Sequence, residues 1–286
     1  MKILCLLFIL VSIASAWTCP ACGTENNGDF CTDCYVPIPP PGMEYIAPSI
    51  VTIEGESIYV NAFYIDREPV ICRDILDWFA QEISYVDQIP IYITGQEELL
   101  MPGENMGEDF RNIVFVRYTP WVIYRNEQNG VTGVTVQTGC FDIPATSVTF
   151  DAARLYLNDF GKRLPTRAEV TAAVSAGAIG LEDTWEVMNA YSDFISMTLS
   201  GIIGTSPARL AMFSENQSPE ERIMWEWTRD AWEQSADTIS DLQSPYALIV
   251  KPLDPPYEGT ALRESGYYNL IFRGIVPIPW IEQNGN

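Results

Sequence analysis

The sequence contains no histidine. That absence excludes Ser–His and Cys–His nucleophile pairs, removes the commonest general base, and rules out histidine-ligated iron, copper or zinc. Any chemistry must rest on carboxylates, tyrosines or cysteines. Lysine is nearly missing too, at Lys2, Lys162 and Lys251 only, and the formal net charge is −22. Such a surface repels phosphate backbones and anionic lipids, so neither nucleic acid nor a membrane surface is an expected partner. Internal repeats are lacking, and no segment after the N-terminal one is long and apolar enough to span a bilayer. Hydrophobic residues make up 47% of the 286-residue chain, which argues against disorder and allows one well-filled core or two small ones.

What is present begins with a secretory signal at residues 1–16. Lys2 supplies the positive start, Ile3 to Ile13 is apolar apart from Ser12, and Ala14-Ser15-Ala16 offers small residues for cleavage. The expected mature protein is soluble and secreted or periplasmic. Its partner would be an extracytoplasmic ligand or protein of unknown identity, with no membrane span left after cleavage.

Residues 17–35 carry Cys19-Pro-Ala-Cys22-Gly and Cys31-Thr-Asp-Cys34. Two C-x-x-C pairs so close together fit a zinc-ribbon-like knuckle, with Cys19, Cys22, Cys31 and Cys34 as ligands of a structural zinc. Gly23 permits the tight turn behind the first pair. Two disulfides are the alternative, favoured by an oxidising compartment. Residues 36–41, Val-Pro-Ile-Pro-Pro-Pro, read as a stiff linker that isolates the knuckle. Residues 42–276 form the large domain, and 277–286 a C-terminal tail.

The large domain reads as α+β. Ser57 to Ile65, Gln88 to Thr94, Asn112 to Tyr124, Tyr246 to Val250 and Tyr268 to Val276 have strand composition. Ile71, Ile75, Trp78, Phe79 and Ile83 recur at helical spacing. Asp151 to Phe160 is a second helix, stopped by Gly161. Thr166-Arg-Ala-Glu169 is a capping box that starts a third, running to about Gly177. Between Leu181 and Glu221 the pattern is weak.

Several stretches follow one another in a characteristic order: Gly42-Met-Glu-Tyr-Ile46, Ala62-Phe-Tyr-Ile-Asp66, the run Pro144 to Ala152, Gly161-Lys-Arg-Leu-Pro-Thr-Arg-Ala-Glu169, Met224-Trp-Glu-Trp-Thr-Arg-Asp230 and Asn269-Leu-Ile-Phe-Arg273. The series resembles the formylglycine-generating enzyme, or sulfatase-modifying factor, family. The resemblance implies a variant of the C-type lectin fold over residues 42–276. Each motif also has a plain structural reading. Trp225 and Trp227 would fill one side of a core, and Phe272 with Arg273 would be a buried and an exposed member of a final strand.

The family's activity implies a copper-binding cysteine pair between the W-E-W and terminal F-R segments. Here no cysteine follows Cys140, so copper is not expected. Glu226 matches an acidic calcium ligand of the family, but Arg222, Ile223 and Pro219 replace its other expected residues, leaving calcium a weak expectation. Cys72 and Cys140 read as one disulfide or two buried thiols. Trp185, Trp232, Tyr246, Tyr257, Tyr267 and Tyr268 are candidate contact residues. No catalytic or cofactor-binding residue is assigned. The sequence therefore points to an exported, non-catalytic recognition module. Its alternatives are an oxidoreductase with a relocated site at Cys72 and Cys140, and a structural component of an envelope or secreted assembly.

Overall fold

The computed structural model describes residues 16–80, 82–86, 89–93, 121–125, 131–136, 140–146, 148–179, 223–231, 246–253, 257–262 and 270–278. The proposed signal segment, Trp185, Trp232, Tyr267, Tyr268 and the 181–221 region lie outside them. So does most of the strand expected from Asn112, of which the described part is Trp121–Arg125.

The N-terminal unit pairs two short strands, β1 (Trp17–Thr18) and β2 (Glu25–Asn26). The large domain opens with β3 (Met43–Ile46), β4 (Ser49–Ile53), β5 (Glu56–Val60) and β6 (Phe63–Asp66). The long strand expected from Ser57 is therefore two. Asn61-Ala62 breaks it, so that β5 closes a hairpin with β4 while β6 joins β3 in another sheet. The hairpin turns at Glu54-Gly55, both with positive φ (54° and 83°), as a two-residue turn matched to strand twist requires.

Helix α1 (Cys72–Phe79) is followed directly by β7 (Glu82–Val86), which pairs with β8 (Ile89–Ile93). Ile83 thus belongs to a strand and not to the helical face assigned to it. With β9 (Trp121–Arg125) and β10 (Val131–Val136) they form a sheet in the order β7-β8-β10-β9.

Two helices follow, α2 (Phe150–Asp159) and α3 (Arg167–Ser175), and both end in the same way. Behind α2, Gly161 takes φ 68°, its N–H reaches Asn158 O (3.0 Å), and Lys162 N–H reaches Leu157 O (2.8 Å). Behind α3, Gly177 takes φ 64°, with Gly177 N–H to Val174 O (2.9 Å) and Ala178 N–H to Ala173 O (3.0 Å). This double bond pattern satisfies the last carbonyls, and the left-handed residue in it favours glycine. The capping box forms as expected: Thr166 N–H donates to Glu169 Oε2 (2.7 Å) and Glu169 N–H to Thr166 Oγ1 (3.2 Å). Val148 lies in no strand. The loop around it is held by Trp121 Nε1–H to Thr146 O (2.7 Å) and Trp227 Nε1–H to Val148 O (3.1 Å).

The last strands are β11 (Trp225–Ala231), β12 (Tyr246–Lys251), β13 (Tyr257–Leu262), β14 (Leu270–Ile271) and β15 (Ile275–Pro277). The first four make a sheet ordered β13-β12-β11-β14, whereas β15 joins the sheet β15-β6-β3. The strand expected over Tyr268 to Val276 is accordingly split by Phe272–Gly274 into two sheets. The interrupting residues cross between the domain's two main cores. One gathers Cys72, Leu76, Leu157, Trp227 and Phe272; the other gathers Ile46, Ile65, Val170, Ala173 and Val250.

The linker is not a spacer. Val36 O accepts from Cys31 N–H (2.8 Å), Ile38 N–H donates to Asp29 O (2.8 Å), and Tyr64 O–H donates to Pro37 O (2.6 Å). Cys19, Cys31, Val36, Met43, Tyr64 and Ile278 form a third buried cluster. The expectation that few contacts cross residues 36–41 fails because prolines at 37, 39, 40 and 41 fix backbone angles without preventing their carbonyls or neighbours from packing. The tail also starts later than expected, since Pro277 is in β15 and Ile278 is buried in that cluster.

Candidate metal centre

The two C-x-x-C pairs fold alike. In the first, Gly23 N–H donates to Cys19 O (2.8 Å) and Cys19 N–H to Thr24 O (2.9 Å). In the second, Tyr35 N–H donates to Cys31 O (3.0 Å) and Cys31 N–H to Val36 O (2.8 Å). The fifth residue of each is left-handed, Gly23 at φ 79° and Tyr35 at φ 58°. Tyrosine at the second position departs from the glycine that this backbone prefers.

Both turns aim their thiols at one point. Cys19, Cys22, Cys31 and Cys34 place their sulfurs within 4.8 Å of one another, close enough to hold a metal ion. Sulfur contacts of 3.4 Å join Cys19 to Cys34 and Cys22 to Cys31, and one of 3.6 Å joins Cys22 to Cys34. A tetrahedral ion with thiolates at about 2.3 Å would set its ligand sulfurs about 3.8 Å apart. A small rearrangement therefore suffices to admit one. All four cysteines are free thiols. Thr24 Oγ1–H to Asp33 Oδ2 (2.6 Å) and Thr32 N–H to Asn26 Oδ1 (2.9 Å) brace the two turns against each other.

The thiols are unequal. Burial opposes ionisation of Cys31, but backbone N–H groups of Cys34 and Asp33 and the neighbouring thiols outweigh it and bring its pKa down to about 6. Burial pushes Cys34 up to about 12 and also raises Cys19. Filling the centre must displace protons from the latter two.

The two cysteines of the large domain have a different fate. Cys72 and Cys140 are both wholly buried in the first core, unbridged. Burial pushes Cys140 up to about 11, and burial together with nearby Cys140 and Asp74 carries Cys72 well above its usual value. Cys72 Sγ faces Pro144 O at 3.8 Å. These are protonated core thiols, poor nucleophiles and poor soft-metal ligands.

Glu226 is bound by an arginine. Its Oε2 accepts from Arg273 Nε–H (2.9 Å) and its Oε1 from Arg273 Nη2–H (2.7 Å), with both side chains buried. Arg273, expected to be exposed, is fully buried, and its Nη1 donates to the carbonyls of Asp66 (3.3 Å) and Arg67 (2.5 Å). Arg222 and Pro219 lie outside the described residues. Trp227 fills the first core against Phe150, and Trp225 sits at its border beside Lys251 and exposed Tyr257. Tyr246 starts β12, but its side chain is not among those described.

The sequence motifs meet at this buried pair. Asp66 accepts from Lys162 Nζ–H (2.7 Å) and from Gly274 N–H (2.9 Å), and Arg163 bridges Ile275 through its backbone. A Cβ on Gly274 would lie 2.7 Å from the side chains of Leu157 and Lys162, which would have to shift to admit it. Residues from the F-Y-I-D, G-K-R-L-P, W-E-W and F-R-G stretches thus form one frame. A family model, the sulfatase-modifying factor enzyme 1-like domain, matches residues 44–210, more than half of the chain. The chain belongs to the sulfatase-modifying factor family. Within this member, the W-E-W and F-R-G stretches lie beyond the matched residues but close the same frame. No curated protein matches the chain significantly.

Proposed function

We propose that this sulfatase-modifying factor domain is an exported recognition module that does not oxidise cysteine, with a structural zinc at Cys19, Cys22, Cys31 and Cys34. The observation that carries the reading is the burial of both large-domain cysteines in an apolar core, with their thiols held protonated. Copper-dependent oxygen chemistry needs accessible thiolates, and no later cysteine can supply them. The W-E-W glutamate, committed to Arg273, holds the frame together. A C-type-lectin-type frame carrying loops on a rigid base suits ligand capture, since such loops tolerate change. Tyr257, 64% exposed beside Trp225, is a contact residue on the described surface. The signal-like N-terminus supports a secreted or periplasmic site of action, and no described helix is long and apolar enough to cross a membrane.

The test is mass spectrometry of a cysteine-containing sulfatase-type peptide incubated with the protein, copper and oxygen. The thiol should persist unchanged. Aldehyde formation that is abolished by Cys72→Ser or Cys140→Ser would overturn the reading and make the protein an oxidoreductase.

A further inference from the structure

The four-thiol centre carries more than a metal. We infer that it is also a specific oxidation site, in which a low-molecular-weight disulfide converts the thiols to Cys22–Cys31 and Cys19–Cys34 bridges, in that order, and expels the metal. The inference rests on the proposed metal site.

The pairing follows from geometry. The two 3.4 Å sulfur contacts use each thiol once, and both run between the C-x-x-C turns. A disulfide needs sulfurs about 2.0 Å apart, so each pair closes by about 1.4 Å through side-chain rotation. Bridges within a turn would have to form across backbones already fixed by Gly23 N–H to Cys19 O and Tyr35 N–H to Cys31 O. Cross-turn bridges leave those bonds intact. They also keep Cys19 and Cys31 in the cluster with Tyr64 and Met43, so the knuckle stays docked in either state.

The order follows from exposure. Cys22 is exposed and Cys34 half-buried, whereas Cys19 and Cys31 are buried. The thiolate of Cys22 attacks the disulfide reagent, forming a mixed disulfide and releasing one reagent thiolate. The thiolate of Cys31 then attacks Cys22 Sγ, closing the protein bridge and releasing the second. Cys34 and Cys19 repeat the sequence. Each bridge removes two electrons from the protein and reduces one reagent disulfide to two thiols. Four metal-bound thiolates are consumed, and a dication leaves.

The experiment uses the purified, reduced protein loaded with zinc and treated with increasing glutathione disulfide. Zinc release is followed with a chromogenic chelator, remaining thiols are alkylated, and the bridges are mapped by non-reducing proteolysis and mass spectrometry. Cys72 and Cys140 are enclosed and should not react under native conditions. With limiting reagent, the Cys22–Cys31 peptide pair should predominate. In excess, Cys19–Cys34 should join it, with all bound zinc released. The Cys22→Ser protein should form Cys19–Cys34 alone. Predominance of Cys19–Cys22 and Cys31–Cys34 bridges, of a Cys22–Cys34 bridge across the 3.6 Å contact, or zinc retained through oxidation, would overturn the inference. Reduced protein with reactive thiols but no zinc would overturn the metal reading and the expulsion step, while the peptide map of that metal-free protein still decides the pairing.

Discussion

Replacing Glu226 by glutamine removes one negative charge from a pair that is almost free of solvent: Arg273 is 0% exposed and Glu226 1%. The amide keeps the shape of the side chain. One of the two oxygens that accept from Arg273, at 2.7 and 2.9 Å, becomes an N–H₂ group facing a donor. The guanidinium then keeps its bonds to the carbonyls of Asp66 and Arg67 but loses the carboxylate that faces it. Breaking a buried pair on one side costs about 3–5 kcal/mol. For a chain of this size that lowers the melting temperature on the order of 10 °C. Glu226→Gln combined with Arg273→Met should lose less, roughly 2 kcal/mol, because the buried positive charge is removed together with the carboxylate and mainly hydrogen bonds are lost. Urea unfolding of both proteins, run in parallel with calcium and with a chelator, measures these values. The losses should be equal in the two media. A single mutant within about 1 kcal/mol of the parent, or a loss that appears only with calcium, would refute the reasoning and return Glu226 to a ligand role.

Two other predictions concern the frame. Asp230, held by Arg167 N–H (2.6 Å), has its pKa raised by burial, only partly offset by that bond and by Arg167. A raised carboxyl pKa means that the folded state holds its proton longer, so Asp230 lowers stability as pH rises from about 3.8 through the folded value. Asp230→Asn should therefore be at least as stable as the parent at pH 7, with the gap vanishing below that window; a mutant that loses stability at pH 7, by thermal melts across pH, would contradict this. A chain beginning at Met43 uncovers Met43, Tyr64 and Ile278 and removes the Pro37 carbonyl that accepts from the Tyr64 hydroxyl. It should lose on the order of 3 kcal/mol against the full protein. Equal urea midpoints for the two would show that the knuckle contributes nothing to the large domain.

The local features were legible in the sequence because their causes span only a few residues. Thr166 and Glu169 make a capping box three positions apart, and Gly161 ends α2 because a left-handed residue favours glycine. The cysteine spacing likewise announces a cluster, and the missing histidines settle a whole range of chemistry. The tertiary structure decided whatever depends on distant partners. Arg273 looked like the exposed member of a strand because nothing near it in sequence shows Glu226, 47 residues away, or the carbonyls of Asp66 and Arg67, more than 200 residues away. The continuous run from Ser57 to Ile65 divides because two different sheets claim its halves. Prolines suggest a free linker until Tyr64 and Val36 show it docked. Periodicity fixes which face of an element is apolar, but only the packed chain determines which distant group that face meets, and so whether a buried charge becomes a ligand or a brace.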